Sequence, residues 1–548
     1  FLRPRAPDDD FYVENGRLTA DPAIFRRDPV NILRIFQTAD EKRVDIHPDA
    51  LRTITRSLDL INDKLRENPE ANAAFLAMLT SRQDPERALR LMNEAGVLGR
   101  FIPEFGHAVG LMQFNMYHHY TVDEHLIRAV GNLAKIERGE NKDDHPLSTE
   151  IIKRIQSRPV LYCAVLLHDM AKGLPGDHSD VGAEIARSLC PRLGMTAADT
   201  QAVAWLVKNH LLMSDTAQRR DLSDPQTVRD FVAQVQSPEM LRLILILTVA
   251  DIKAVGPGVW NGWKGQLLRE LYYAAEQMMM GGDQMPGRNA RVAEAKELLA
   301  ARLSDFTPAE RERALSRHYD NYWLAFETDE LERHARTIAK ADATGELLCL
   351  DAVTNNFRAI TEIMLYTPDH PGLFSQFAGA IAMSGGSIVD AKVFTTTDGF
   401  ALDVFSVQDA EGEAFGDPER LNRLRQTIAR TLRGEIWPRR ELMQRKPMRS
   451  KASAFKIRPK VLFDNEASRI ATVVEVETLD RVGLLYDVTQ ALFESGLSIS
   501  TSMVATYGER AVDVFYVRDG FGHKIIHPDR LAAIEARLMK ALEPPASP

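Results

Sequence analysis

An internal repeat in the last third of the 548-residue chain constrains its fold more than any other feature. The segment that begins at Asp369 recurs at Asp480, and each copy reads Asp, two variable residues, then Gly-Leu. Further on, a Ser-Gly pair, a Ser-Ile pair and the tripeptide Asp-Val-Phe recur at an offset of 111 and then 110 residues. A repeat of this kind predicts two copies of one structural unit, each of about 75 residues.

Alternation of apolar and polar residues predicts the secondary structure of both copies. In each copy a strand precedes the Asp-x-x-Gly-Leu motif, a helix follows it, and two further strands come next. Each copy is therefore expected to form a β-α-β-β-type unit. The predicted strands are 360–366, 387–395 and 401–407 in the first copy and 471–477, 498–506 and 511–517 in the second, with predicted helices at 373–383 and 484–493.

The rest of the chain has the pattern of helices. Apolar residues recur at helical spacing in 1–100 and form longer stripes in 101–275, whereas 276–350 is helical but more highly charged. The fold class that these patterns predict is α+β, with an all-α part that precedes the two repeats.

A basic stretch separates the two repeats. Residues 436–460 hold nine Lys or Arg against one Glu, a balance that would suit a nucleic-acid surface. Prolines interrupt the stretch, however, and it has few aromatic side chains on which bases could stack. We therefore expect a linker and an edge strand at 437–465, and no nucleic acid as a partner.

Composition excludes further classes of protein. The formal net charge is −9, so the surface as a whole is not a nucleic-acid footprint. The longest apolar run has about eight residues, far fewer than the roughly 20 that a membrane-spanning helix needs. The three cysteines are scattered, which is typical of a reducing cytoplasm and excludes a disulfide framework or a thiolate zinc site. We expect a cytoplasmic protein without a membrane partner.

Histidines are concentrated in one part of the chain, since eight of the 14 lie in 107–210. His168 and Asp169 directly follow an apolar run, and a carboxylate in an apolar interior needs a paired charge or a metal ion. His125 and Asp251 likewise lie at the ends of apolar helices. These four residues predict a metal site, although each histidine taken alone could be a core residue satisfied by hydrogen bonds.

Further residues in this region could take part in catalysis together with Asp169. His178 and His210 could bind a second ion or act as acid and base. Lys172 could neutralise the charge on a phosphate or, alternatively, complement the dipole at a helix end. The ion is expected to be a divalent metal, since mixed His and Asp ligands without cysteine suit zinc, manganese, iron or magnesium. Four other histidines are expected at the surface or behind the ligands: His107, His118, His119 and His145.

The ordered set His125, His168-Asp169 and Asp251 resembles the HD phosphohydrolases, which are helical metal-dependent hydrolases of phosphate esters. The flanking sequences resemble one family in particular, the bifunctional uridylyltransferase/uridylyl-removing enzymes of nitrogen regulation. The motifs that carry this resemblance are Tyr-Thr-Val-Asp-Glu-His at 120–125, Leu-His-Asp-Met-Ala-Lys-Gly at 167–173, Asp-His-Ser at 177–179, Gly-Pro at 256–257, Trp-Asn-Gly-Trp-Lys at 260–264, Ala-Phe-Lys-Ile-Arg-Pro at 454–459 and Phe-Asp-Asn at 463–465.

The resemblance implies an order of domains and an activity. It implies hydrolysis of the phosphodiester between UMP and a tyrosine of the uridylylated PII signalling protein, with glutamine as the effector. The implied domains are a helical segment at 1–100, an HD domain at 101–275, a helical connector at 276–350, and two ferredoxin-like βαββαβ ACT domains at 356–436 and 466–548 that flank the linker at 437–465.

The two Asp-x-x-Gly-Leu turns are the candidate effector sites. Their glycine permits close approach of the backbone, and the free N–H groups at the following helix start favour a carboxylate, which suits an amino acid. Alternatively, the glycine serves only a tight turn. The expected contacts with glutamine are Asp369, His370, Gly372 and Leu373 in the first copy and Asp480, Arg481, Gly483 and Leu484 in the second.

The sequence departs from this family at its beginning. It starts at Phe1, and although Asp8-Asp9-Asp10 fits Asp-x-Asp, no Gly-Ser precedes it as in the motif of the family's nucleotidyltransferase core. We therefore expect a fragment without transferase activity, in which the first residues follow that core. Two alternatives remain open: a guanosine tetraphosphate hydrolase, which also joins an HD domain to an ACT domain, and a non-catalytic amino-acid sensor with a degenerate HD domain.

Overall fold

The computed structural model describes residues 10–113, 118–140, 142, 144–280, 288–444 and 457–543. These residues form two compact units. The first unit takes the described residues up to 113 together with 118–213 and 235–260, and the second takes 214–234 and the described residues from 261 onward. Residues 445–456, which include part of the predicted linker and of one family motif, lie outside the described residues.

Helices form the body of the first unit, because apolar side chains on one face of each helix pack against neighbouring helices. Caps define several helix starts, as at Asn68, whose Oδ1 accepts hydrogen bonds from the backbone N–H groups of Glu70 and Ala71. Among the described residues, no helix has the length and apolarity needed to cross a membrane. The helices of the described ranges are α1 (Ile24–Arg27), α2 (Asn31–Lys42), α3 (Pro48–Thr55), α4 (Asp63–Arg66), α5 (Pro69–Leu79), α6 (Pro85–Glu94), α7 (Val97–Phe101), α8 (Pro103–Ala108), α9 (Val122–Arg138), α10 (Pro146–Ile151), α11 (Arg158–Leu167), α12 (His178–Arg192), α13 (Ala197–Lys208), α14 (Leu212–Arg219), α15 (Pro225–Val235), α16 (Pro238–Val255), α17 (Gly262–Met279), α18 (Arg288–Arg302), α19 (Pro308–Ser316), α20 (Asp320–Trp323), α21 (Thr328–Thr344), α22 (Leu373–Met383), α23 (Pro418–Leu432), α24 (Pro438–Gln444), α25 (Leu484–Glu494) and α26 (Pro528–Leu542), with 3₁₀ turns at Leu58–Leu60 and Ile152–Arg154.

Strands form a small sheet in the first unit and a large one in the second. The small sheet lies where the sequence pattern indicated only helices, and its strands are too short for alternation to reveal them. In the described part of the chain the strands are β1 (Tyr12–Glu14), β2 (Arg17–Thr19) and β3 (Asp45–Ile46) in the small sheet, and β4 (Cys349–Asn355), β5 (Ile360–Pro368), β6 (Ser387–Thr395), β7 (Phe400–Gln408), β8 (Lys460–Asp464), β9 (Thr472–Leu479), β10 (Leu497–Tyr507) and β11 (Arg510–Asp519) in the large one.

The large sheet unites the two repeats. Its strands lie in the order β4-β5-β7-β6-β10-β11-β9-β8, and neighbouring strands are antiparallel. The two halves join where β6 pairs with β10, with Ala391 opposite Ser502. The six strands and two helices expected from the repeat are all present, with ends within about two residues of those predicted. The α+β class is therefore confirmed.

The chain order within each repeat differs from the expected βαββαβ unit. Each repeat contains four strands and two helices, but β4 and β8 precede the first expected strand, so that the order is ββαββα. β4 pairs with β5 at the edge of the sheet, and β8 pairs with β9 at the other edge. Periodicity missed β4 because its residues become steadily more exposed along the strand instead of alternating.

Each repeat buries its own apolar core between helices and one face of the sheet. In the first repeat, Phe377 of α22 and Phe405 of β7 belong to this core. In the second repeat, Val488 of α25 and Phe515 of β11 hold the equivalent positions. Both repeats therefore place the start of a buried helix next to the end of a strand.

Candidate metal centre

Three helices of the first unit, α9, α11 and α16, pack against one another and bring polar residues inward. Residues 160–167 of α11 are buried, so the two residues that follow, His168 and Asp169, also lie in the interior, at 0% and 3% exposure. His125 is buried on α9, and Asp251 follows the buried run of α16. The apolar sequences thus place four potential ligands in one interior region.

These four residues form a first donor set, whose potential ligand atoms lie within 4.8 Å of one another. Nε2 of His125 is 3.1 Å from Nε2 of His168. Oδ1 of Asp251 is 3.2 Å from the first of these nitrogens and 3.4 Å from the second. Oδ2 of Asp169 is 3.5 Å from both nitrogens. Two imidazole nitrogens and two carboxylate oxygens therefore converge.

A second donor set consists of Asp169, His178 and His210. The other oxygen of the shared carboxylate, Oδ1, is 3.6 Å from Nε2 of His178 and 3.5 Å from Nε2 of His210. The packing of α12 against α13 brings these histidines together, and it is close at Gly182, where an added Cβ would lie 2.9 Å from Val207. Asp169 thus offers one oxygen to each donor set, and could bridge two ions.

Backbone carbonyls orient two of the imidazoles. Nδ1 of His168 donates a hydrogen bond to the carbonyl of Val165 at 2.8 Å, and Nδ1 of His210 donates to that of Val207 at 2.7 Å. Each bond places a proton on Nδ1 and turns Nε2 towards Asp169, where it can offer its lone pair to a metal ion when the ring is neutral. Metal-binding histidines are commonly held in this way.

The residues of the two donor sets fit a divalent metal ion. Among the described residues, Oδ1 of Asp169, which faces the second donor set, is buried without a hydrogen-bond partner. Uncompensated polar atoms in an interior are costly. Imidazole and carboxylate ligands without thiolates are those that magnesium, manganese, iron or zinc accept.

Charged neighbours shift the pKa values of these groups. Burial opposes ionisation of both carboxyls, but the charge of Lys172 keeps the pKa of Asp169 below its ordinary value, and that of His168 does so for Asp251. Burial also opposes the charged form of His168, but the two carboxylates raise its pKa to about 9. Burial lowers the pKa of His210 to about 4.

Lys172 and His118 lie beside the first donor set. The Lys172 ammonium is 2.5 Å from Oδ2 of Asp169 and 3.5 Å from Nε2 of His118. Its side chain is only 18% exposed, so it is a partner of the buried carboxylate rather than a solvated helix-end lysine. Burial, and next the charge of Lys172, lower the pKa of His118 to about 4. Sequence spacing did not distinguish His118 from the histidines around it.

Three parts of the chain match known protein families. Family models match residues 11–101 as the uridylyltransferase GlnD third domain, 122–254 as an HD domain and 460–547 as an ACR9-like, ACT-like domain. The bifunctional uridylyltransferase/uridylyl-removing enzyme of Azospirillum brasilense is 52% identical over 549 residues, which cover 100% of this chain and 59% of that enzyme. The enzyme of the same name from Rhodospirillum rubrum is 47% identical over 536 residues, which cover 97% and 57%.

Identity of this degree along the whole chain decides the family. The chain belongs to the bifunctional uridylyltransferase/uridylyl-removing enzyme family. The resemblance found in the sequence motifs is confirmed. The chain spans 59% and 57% of the lengths of these two relatives. The HD match, together with the His/Asp cluster, supports binding of a divalent metal by this member of the family.

Solved structures offer only distant likenesses to this chain. A tRNA-processing enzyme (apo form I) is 16% identical with a TM-score of 0.30, over 48% of this chain and 63% of that one. A CCA-adding enzyme (apo form I) is 12% identical with a TM-score of 0.32, over 58% and 61%. TM-scores of this size support no inference about this chain.

The Tyr-Thr-Val-Asp-Glu-His motif of this family member, at 120–125, contains residues that hold α9 in place. Asp123 accepts a hydrogen bond from Nδ2 of Asn93 at 2.9 Å. Glu124 forms an ion pair with Arg90. Because the next residue is a member of the first donor set, these contacts fix the position of that ligand.

The Asp-x-x-Gly-Leu turn of the first repeat lies at a cavity of about 630 Å³. Gly372 has a φ of +82° just before α22, a conformation that favours glycine. Oδ2 of Asp369 accepts a hydrogen bond from the hydroxyl of Thr395 at 2.8 Å. The predicted effector contacts of this copy all line the cavity: Asp369, His370, Gly372 and Leu373.

The equivalent turn of the second repeat has different neighbours. Gly483 has a φ of +81°, and an added Cβ would lie 3.3 Å from the side chain of Leu442. Arg481 forms an ion pair with Asp487 at 2.6 Å. The predicted effector contacts of this copy lie together at the turn: Asp480, Arg481, Gly483 and Leu484. Any contact of either copy with a ligand stays a prediction.

Proposed function

We propose that this chain removes UMP from uridylylated PII signalling protein by hydrolysing the phosphodiester between UMP and a tyrosine hydroxyl. The names of the relatives as uridylyl-removing enzymes and the match to an HD domain support the proposal. The observation that carries it is the position of Asp169, whose two oxygens face two donor sets. The proposal assigns the chemistry to 101–275 and its control to the repeats at 356–436 and 466–548.

Magnesium or manganese is the proposed metal, and iron or zinc, which the four imidazoles would also suit, is the alternative. When bound, such an ion polarises phosphoryl oxygens and lowers the pKa of a coordinated water towards 7. The residues that would hold it are His125, His168, Asp169 and Asp251, with His178 and His210 joining Asp169 around a second ion.

The residues of the chain would orient the reactants and balance their charge. The hydrogen bonds from His168 and His210 to backbone carbonyls keep both Nε2 atoms directed to Asp169. Lys172, which touches the same carboxylate, adds a positive charge that would attract an anionic phosphate. The site therefore combines a fixed ligand geometry with a cation at its side.

The leaving group would need little assistance. A tyrosine hydroxyl has a pKa of about 10, so it can depart as a phenolate without a strong general acid. The side chain of His178 is 28% exposed. This imidazole would therefore be able to exchange a proton with solvent and act as acid or base.

Glutamine is the proposed effector of this activity, acting through the two repeats. Both turns precede a helix of 11 residues, whose first free N–H groups favour a carboxylate. The setting proposed for the reaction is the cytoplasm, in keeping with three cysteines that are buried and unpaired.

The test measures release of UMP from uridylylated PII by the purified chain supplied with magnesium or manganese. Asp169→Ala should lower the rate by more than about 100-fold, because even residues behind metal ligands contribute about 10- to 100-fold. The helical circular dichroism signal should persist. His107→Ala, a change of an exposed histidine on α8, is the matched control and should keep the wild-type rate.

Two outcomes would contradict the proposal. Release of UMP by Asp169→Ala at the wild-type rate would show that the shared carboxylate is not needed. Hydrolysis of guanosine tetraphosphate by the wild-type chain, without release of UMP, would favour the alternative hydrolase.

A further inference from the structure

The repeated tripeptide Asp-Val-Phe has no role in the function proposed above. Its aspartate is Asp403 on β7 and Asp513 on β11, at equivalent positions of the two repeats. Both side chains are buried, at 1% and 2% exposure. A charged group buried at the same place in two copies requires a physical reason.

Asp403 points into the apolar core of the first repeat. It lies opposite Leu365 of β5 and Val393 of β6. Because alternate residues of a strand share a face, it faces the same side as Ala401 and Phe405, which belong to that core. A carboxylate in such surroundings is unfavourable unless a cation or a hydrogen-bond donor meets it.

The described residues provide no such donor for one oxygen of either aspartate. Oδ1 of Asp403 and Oδ1 of Asp513 are both buried without a hydrogen-bond partner. Burial, and next the carboxyl of Asp369, raise the pKa of Asp403 well above its ordinary value. Burial and Asp480 raise the pKa of Asp513 in the same way.

Asp403 lies in the wall of a cavity. This aspartate lines the space of about 630 Å³ at the first effector turn, a volume within the range of about 300–1,000 Å³ found for small-molecule sites. Phe374 and Ser375, in the first turn of α22, line the same cavity, and so does Phe493 of the second repeat. The cavity therefore holds both a buried carboxylate and a helix start that presents N–H groups.

These two features have opposite electrostatic preferences. The carboxylate of Asp403 favours a cation, and the start of α22 favours an anion. A free α-amino acid carries an ammonium and a carboxylate on one carbon. The cavity thus offers a partner for each charged group of such a molecule.

We propose that Asp403 accepts the ammonium group of the amino acid that the first repeat binds, while the start of α22 faces the carboxylate of that amino acid. The inference rests on the effector role proposed above. It adds that the first repeat binds the amino acid and that Asp403 recognises its ammonium group. The second copy serves as a comparison, since its turn faces Leu442 and its Asp513 is the structural equivalent.

Calorimetric titration of the full chain tests the inference with two ligands. L-glutamine is compared with glutaramate, which has the same carbon chain, carboxylate and amide but no amino group. The wild-type chain should bind L-glutamine about 10- to 100-fold more tightly, because a hydrogen bond between charged groups contributes about 1.5–3 kcal/mol. This arm requires no variant, so a folding defect cannot affect it.

Two variants test whether Asp403 causes the discrimination between L-glutamine and glutaramate. Asp403→Asn should weaken binding of L-glutamine about 10- to 100-fold and leave binding of glutaramate unchanged, so that discrimination between the two is lost. Asp513→Asn is the matched control, with the same chemistry and burial, and should keep the discrimination. Circular dichroism of both variants checks that each is folded.

The outcomes separate this inference from the effector role. No heat from L-glutamine with the wild-type chain would overturn the effector role itself. Equal binding of the two ligands by the wild-type chain, or discrimination retained by Asp403→Asn, would overturn only the part assigned to Asp403. Loss of discrimination in both variants would also overturn it, because the aspartates would then act through the fold.

Discussion

The buried aspartates of the metal centre and those of the two repeats have opposite surroundings. Asp169 and Asp251 lie among imidazoles and the ammonium of Lys172, and the pKa of each falls below its ordinary value despite burial. Asp403 and Asp513 lie in apolar cores beside another carboxyl, and the pKa of each rises. The nearest charge, rather than burial alone, decides how a buried carboxyl ionises.

This difference has a functional meaning. A carboxylate that is kept ionised among lone-pair donors is prepared for a metal ion, since ligands must be deprotonated to bind one. A carboxyl that is neutral in the free protein can ionise when a ligand brings a positive charge beside it. Both arrangements are built from the same residue type in an apolar interior.

The largest effect expected from this comparison concerns Asp251. Asp251→Asn should weaken binding of manganese by more than about 100-fold, because the change removes one of the two charged ligands of the first donor set. Titration of the chain with manganese, followed by electron paramagnetic resonance, measures this loss. Asp180→Asn, at an exposed position of α12, is the matched control. Unchanged affinity would show that the converging atoms are not a metal site.

A smaller effect is expected at the second donor set. His178→Ala should lower the occupancy of a second ion by about 10-fold or more and leave the first in place, because His178 belongs to the second donor set alone. Elemental analysis of the metal-loaded chain should fall from about two ions to one, with His107→Ala as the control. Two retained ions would contradict the role of His178.

The smallest effect is expected in the second repeat. The pKa of Asp513 is raised to about 8 from an ordinary 3.8. Between these values the folded state keeps a proton that the unfolded state releases, so wild-type stability falls as pH rises. Asp513→Asn should remove this pH dependence of stability.

Denaturant unfolding of both proteins at about pH 5 and about pH 8 measures this difference. The Asp513→Asn variant should gain stability relative to wild type at the higher pH. Parallel pH dependence in the two proteins would show that the buried carboxyl finds a compensating partner.

Much of the fold could be predicted because its signals are local. The repeat and its alternating strands predicted β5, β6 and β7 with their partners in the second copy, and the glycine at each turn marked the starts of α22 and α25. β4 could not be predicted, since its position at the edge depends on pairing with β5 rather than on its own pattern. The order of strands and helices along each repeat could therefore not be predicted from the sequence pattern.

The candidate metal centre was predictable to a similar degree. Polar residues at the ends of apolar helices identified His125, His168, Asp169 and Asp251, which the structure brings together. The sharing of Asp169 could not be predicted, because it depends on which way each carboxylate oxygen points. The approach of His118 likewise depends on packing between segments that are distant in sequence.

The pairing of β6 with β10 has a consequence for how the protein behaves in a crowded solution. Two separate four-stranded sheets would expose four edges, and an open edge can pair with a strand of another molecule and start aggregation. The joined sheet leaves only β4 and β8 at its ends in the described part of the chain. These two strands carry charged residues such as Asp351 and Lys460, which discourage such pairing. Joining the repeats thus halves the number of open sheet edges at which molecules could associate.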